Sequence, residues 1–97
     1  LQLPNQAPDH AAELAWPIRF VDLDVLGHVN NAAQWAPVEE VAHRFGMELE
    51  GVRAQLEHAG ETPPGSATIR WTGDASGFRT WLTTEAGMGS AAEVRLL

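Results

Sequence analysis

The chain has 97 residues, 44% of them apolar, with no cysteine and a formal charge of −7. That length suits one domain burying about 60–70% of the surface its unfolded form exposes. The missing cysteines exclude disulfide scaffolds, thiolate metal sites and a cysteine nucleophile on this chain. All six basic residues are arginine, set against thirteen carboxylates. An acidic chain without a basic stripe argues against nucleic acid, whose affinity comes largely from phosphate neutralisation, and it weakens long-range recruitment of an acidic partner. No apolar run reaches the ~20 residues of a membrane span, and no signal-peptide pattern opens the chain; the expected compartment is the cytoplasm. With Leu1 first and Met47 and Met88 the only methionines, the sequence reads as a piece of something longer.

Residues 1–15 (LQLPNQAPDHAAELA) are rich in Pro, Asn, Gln and Asp and lack an apolar period, so they read as a linker or N-terminal arm. The domain proper is expected over 16–97, opening with a strand at Trp16–Val21. Asp22–Asn31 (DLDVLGHVNN) is dense in turn formers and reads as a loop. A helix follows, because Val38, Val41/Ala42 and Phe45 recur at i, i+3/4 and i+7, and Gly46 is placed to end it. Pro37 implies either a kink or a regular helix that starts there.

Alternation predicts a strand over Val52–His58, then a break at Glu61–Gly65 (ETPPG). Strands are expected at Ala67–Thr72, Phe78–Thr84 and Ala92–Leu97, separated by turns at Gly73–Gly77 and Gly87–Ser90. The order is strand, loop, helix, then an antiparallel meander of four strands. This is an α+β domain in which helix and sheet bury each other's apolar faces. The other sheet face or its edge would need cover, so a partner is expected.

Polar side chains concentrate between Ile18 and Trp35 (IRFVDLDVLGHVNNAAQW) beyond what folding requires. Asp22 and Asp24 flank Leu23, Gly27 permits a bend, His28 follows Asp24 by four residues, and Asn30-Asn31 lead into the helix. A helix N-terminus presents N–H groups and partial positive charge to a developing oxyanion. A carboxylate beside it can act as base or nucleophile, and a histidine can orient or transfer a proton.

Arg19-Phe-Val-Asp-Leu-Asp24-Val-Leu-Gly27-His28-Val-Asn30-Asn31, followed by an aromatic at Trp35, resembles the signature of the hotdog-fold thioesterases. The nearest likeness is to acyl-acyl carrier protein (acyl-ACP) thioesterases, which are tandem double-hotdog enzymes. Leu56-Glu-His-Ala-Gly-Glu61-Thr62 is similar to the LEYRREC segment of the plant enzymes. The resemblance implies a hotdog fold, with one long central helix packed on a five-stranded antiparallel sheet. It also implies hydrolysis of acyl-ACP or acyl-CoA thioesters to free fatty acid and thiol. Asp24 matches the base or nucleophile, His28 the histidine of the HVNN motif, and Glu61 the glutamate proposed to activate water or position the pair. Gly27, Val29, Asn30 and Asn31 fall where substrate binding and carbonyl positioning are expected.

Three departures stand out. Leu26 replaces the asparagine two residues before the histidine, Thr62 replaces cysteine, and Trp35 lacks the hydroxyl of the usual tyrosine. The resemblance implies no metal and no organic cofactor. It further implies pairing with a second hotdog unit, as a homodimer or with a missing N-terminal half, residues 1–15 then being the joining segment.

Plainer readings stand beside these. Asp22 and Asp24 suit turn hydrogen bonds, and an asparagine at 30 or 31 suits a helix cap. Glu61 beside Pro63-Pro64 suits a solvated loop, and Glu39, Glu40 and His43 a solvated helix face. Metal binding would draw on Asp22, Asp24 and His28, or on Glu40-x-x-His43, which lacks the second such pair of a di-metal bundle site. His10 and His58 belong to no constellation, and Trp71 and Trp81 suit the core or an interface. The rival to hydrolysis is a non-catalytic hotdog partner or acyl-ligand-binding domain, with a hydratase on the same fold third.

Overall fold

Val38, Val41 and Ala42 lie three and four residues apart on one stripe of the helix, and all three are at most 2% exposed. That stripe seats the helix α1 (Asn31–Arg44) over the sheet. The computed structural model describes residues 3–4, 6–19, 22–23, 31–48, 50–58 and 65–97. The strands are β1 (Ala12–Ala15), β2 (Val52–His58), β3 (Ala67–Asp74), β4 (Gly77–Thr84) and β5 (Gly87–Leu96). They form one antiparallel sheet in the order β1–β3–β4–β5–β2.

The expected four-strand meander is therefore corrected. Only β3–β4–β5 run as a meander, while β2 crosses to pair with the far side of β5. The first strand also differs: it lies at Ala12–Ala15, and of the expected Trp16–Val21 the described residues 16–19 hold a single bridge, at Ile18. Tertiary pairing decides this, because Ala12 and Leu14 sit opposite Trp71 and Ile69 in the register. Trp16 and Ile18 continue the contact as single links, Trp16 N–H donating to the Ala67 carbonyl at 2.8 Å. Gly87–Ser90, expected as a turn, is strand, and the reversal falls at Glu85–Ala86. A register shift at Leu82/Thr83 accommodates the change.

α1 begins at Asn31 and runs through Pro37, which is buried, so the regular helix does not start at the proline. Its end is a Schellman motif. Met47 N–H donates to the Ala42 carbonyl (2.9 Å), Gly46 N–H to His43 (3.0 Å), and Gly46 takes φ = 70°. The core between helix and sheet joins Val38, Val41 and Ala42 to Ile69, Phe78, Leu82, Ala92, Val94 and Ile18. Burying each larger side chain contributes about 1.5–3 kcal/mol as an upper figure. On the helix's outer surface Glu40 pairs with Arg44 at 2.9 Å, and Glu39 and His43 are exposed.

At the β3–β4 hairpin, Asp74 accepts from the Ser76 backbone N–H (2.8 Å) and hydroxyl (2.6 Å). Gly73 has φ = 126°, and a Cβ there would lie 2.6 Å from Phe78 Cα. Only glycine fits that approach.

The face of the sheet away from the helix carries a second cluster. Leu3, Trp81 and Ala91 are each at most 4% exposed, with Ala7 and Met88 packed against them. Described residues of the segment expected as a linker or N-terminal arm strap this face. Leu3 N–H donates to Glu57 Oε2 (3.0 Å), Trp81 Nε1 donates to the Pro4 carbonyl (3.0 Å), and Arg70 Nη2 donates to the Pro8 carbonyl (3.1 Å). Among the described residues no helix is long and apolar enough to cross a membrane.

Candidate active site

The polar loop leaves the sheet at Ile18. Ile18 and Gly65 exchange both backbone hydrogen bonds, at 2.8 and 3.0 Å, which ties the start of the Asp24–His28 stretch to the end of the Glu61 stretch. Ile18 is 6% exposed and belongs to the core, so the junction is anchored by burial as well.

One turn later the chain folds back on itself. Asp22 Oδ2 accepts from the Arg19 backbone N–H (2.8 Å), Asp22 Oδ1 from Arg19 Nη2 (3.1 Å), and Asp22 N–H donates to the Arg19 carbonyl (3.0 Å). The Arg19 side-chain hydrogen bond, followed by that from its backbone, holds the Asp22 carboxyl below its ordinary value. Asp22 is thus a turn clamp, the plainer of its two readings. Leu23 packs against the core and fixes the direction in which the loop sets out.

The next described residue after Leu23 is Asn31, the first of α1. Asp24, Gly27, His28, Val29, Asn30 and Glu61 lie outside the described residues, as does the Asn31 side chain. What the structure brings together is their frame. A cleft of about 340 Å³ is lined by Trp16, Pro17, Ile18, Arg19, Asp22, Ala33 and Ala36. Its walls are mainly apolar, with the small side chains of Ala33 and Ala36 leaving room on the helix and the Arg19–Asp22 pair at one side. Such a cleft suits an apolar chain ending in a polar group. The N-terminal turn of α1 flanks it, with the partial positive charge of a helix start.

Three residues here escaped the sequence reading. Trp16 and Ile18 were expected in a strand and instead line the cleft. Gln34 was not singled out, yet it is only 4% exposed and precedes Val38 and Val41 by four and seven residues on the core-facing stripe. A glutamine at a core period of a helix is the signal that marks it. Trp35 is half-buried against the core.

Residues 5–93 match the family of the acyl-ACP thioesterase C-terminal domain. Two solved structures share the fold. One is a hypothetical protein of Staphylococcus aureus, solved in complex with CoA, at 18% identity and TM-score 0.71, covering 91% of this chain and 79% of that one. The other is a Lactobacillus plantarum protein provisionally assigned as an oleoyl thioesterase, at 21% identity and TM-score 0.59. The match covers all of this chain but spans only 43% of the Lactobacillus chain. No curated protein matches at the sequence level. The fold is the hotdog, with its helix packed on a five-stranded antiparallel sheet, and the chain belongs to the acyl-ACP thioesterase C-terminal domain family.

Proposed function

We propose that this domain hydrolyses an acyl-ACP or acyl-CoA thioester to a free fatty acid and a thiol. The observation that carries the reading is the cleft at the start of α1. The sequence Asp24-x-x-Gly27-His28-Val29-Asn30-Asn31 ends at the first residue of α1, and Ala33 and Ala36 of that helix line an apolar cleft of about 340 Å³. In this reading the acyl chain enters the cleft over Ala33 and Ala36. The thioester carbonyl lies at the helix start, where N–H groups stabilise its developing negative charge.

Asp24 then attacks the carbonyl carbon or takes a proton from water that does so. In either route the C–S bond breaks, the thiolate leaves and is protonated, and the acid is released. His28 and Glu61 assist by holding water or the proton. Gly27, Val29, Asn30 and Asn31 position the carbonyl. The family match supports a thioesterase-type domain, and the Staphylococcus neighbour's complex with CoA supports a carrier of that kind.

Pairing with a second hotdog unit belongs to the same proposal. The outer edge of β2 pairs with nothing among the described residues, and the 43% coverage of the Lactobacillus chain leaves room for a second unit of this size. Residues 1–15 would then join the halves while strapping the sheet. The cytoplasm is the compartment this reading implies.

The test is thiol release from acyl-CoA and acyl-ACP substrates of varied chain length, comparing wild type with D24N. Turnover lost in D24N with acyl-ligand binding retained supports hydrolysis. Binding without turnover in the wild type would instead favour an acyl-ligand-binding or partner hotdog.

A further inference from the structure

The sheet face away from the helix carries a charge arrangement that folding alone does not favour. Arg53 on β2 lies directly opposite Arg95 on β5, while Arg79 on β4 and Gln55 on β2 both lie opposite Glu93. Like charges directly across a strand pair are destabilising. Glu93 offsets part of this. Its Oε2 accepts from Arg79 Nε (2.7 Å) and its Oε1 from Arg95 Nε (3.0 Å), and its side chain is only 10% exposed. Arg53 makes no hydrogen bond or ion pair to any described residue. Two guanidiniums therefore share one carboxylate and a third has no described partner, on a chain whose overall charge is −7.

The nearby acids Glu57 and Asp74 lie outside the lining of the clefts beside these arginines and point their oxygens at neutral donors. Glu57 accepts from Leu3 N–H and Gln55 Nε2, and Asp74 is held by Ser76. The arginines also border open space. One cleft of about 350 Å³ is lined by Arg53, Gln55, Arg79, Glu93 and Arg95. A second, of about 230 Å³, shares Arg79, Glu93 and Arg95 and extends over Gly77. Gly77 sits opposite Arg95, where a Cβ would come 3.5 Å from Arg95 Cγ, so the missing side chain keeps the floor low.

We propose that Arg53, Arg79 and Arg95 form a binding site for a phosphate monoester. Among the residues that line the two clefts, three arginines against Glu93 leave an excess of two positive charges, which matches the roughly −1.5 to −2 of a phosphate monoester at neutral pH better than a carboxylate. Glu93 is the positioning residue, because bonding two Nε groups fixes the planes of two guanidinium forks. The site lies on the opposite sheet face from α1, so it stands or falls independently of the hydrolytic reading.

The experiment is a titration of the full chain with inorganic phosphate at pH 7.5 and constant ionic strength, following the arginine Nε–Hε resonances by NMR. Saturable shifts at Arg53, Arg79 and Arg95, with Arg19 and Arg44 unmoved, are expected. R53Q should keep or slightly raise the wild-type melting temperature, since Arg53 bonds to nothing described and faces Arg95, and weaken phosphate binding about tenfold. Parallel titrations with adenosine 3′-monophosphate and adenosine distinguish sources. A nucleotide tighter than phosphate points to a nucleotide-borne group, and equal affinity to the phosphate alone. Non-saturable shifts, equal shifts with acetate, or unchanged affinity in R53Q would overturn the site.

Discussion

Ile18 and Gly65 are joined by a reciprocal pair of backbone hydrogen bonds, 2.8 and 3.0 Å long, across 47 residues of chain. Each stands at the mouth of a segment that carries a candidate catalytic residue. The link holds the ends of those segments together whatever their interiors do. I18A should cost about 2–4 kcal/mol by urea denaturation, because the side chain is buried in the core. Gly65 has φ = 120°, a backbone conformation that disfavours a Cβ. G65A should therefore cost about 1–2 kcal/mol and lower kcat more than it raises KM.

Asp22 and Asp24 are two residues apart, and the proposed hydrolysis gives them separable roles. D22N weakens the Arg19 clamp and should lower the melting temperature modestly while leaving measurable turnover. D24N should leave the melting temperature unchanged and remove turnover. Equal loss of turnover in both variants would show that the clamp geometry, not one carboxylate, limits the reaction.

Stability should decline in acid for an identifiable reason. Hydrogen bonds from Arg95 and then Arg79 hold the Glu93 carboxyl below its ordinary value, and those from Arg19 do the same for Asp22. With folded values below unfolded ones, the unfolded state binds more protons in the interval between them. The stabilisation is complete above the unfolded values, about 4–4.5, and is lost as pH falls through the lower folded values. Melting temperatures measured between pH 7 and pH 2.5 should drop below about pH 4.5. E93Q should flatten that drop and cost about 1 kcal/mol at pH 7, solvent around the guanidiniums keeping the figure small.

The N-terminal strap should contribute to the fold. Leu3 is 4% exposed against Trp81 and Ala91, so L3A should destabilise by about 2 kcal/mol. It should also speed hydrogen exchange at the backbone amides of residues 6–11. Unchanged stability in L3A would mean that the strap lies on the sheet without holding it.

β2 was legible to the residue because Val52–His58 alternates cleanly, and the helix stripe and Gly46 stop were legible from the 3.6-residue period. β1 was not, because Ala12–Ala15 has little strand propensity and is recruited by its partner β3. Gly87–Ser90 was read as a turn for its glycines, yet pairing with β4 extends β5 through it. Strand order was hidden as well, since nothing local says that β2 pairs with β5 rather than with β3. At the site, the Asp24–Asn31 motif was plain from its residues. The cleft at the start of α1 was not, because Trp16, Ile18, Ala33 and Ala36 meet only through the packing of α1 on the sheet.

The most direct test of the proposed hydrolysis is thiol release from acyl thioesters of graded chain length, with wild type, D24N and A36F side by side. Wild-type turnover is expected, with its loss in D24N at an unchanged melting temperature and a shift toward shorter chains in A36F as the ring fills the cleft. A folded wild-type protein with no turnover on any thioester, or a D24N variant as active as wild type, would contradict it.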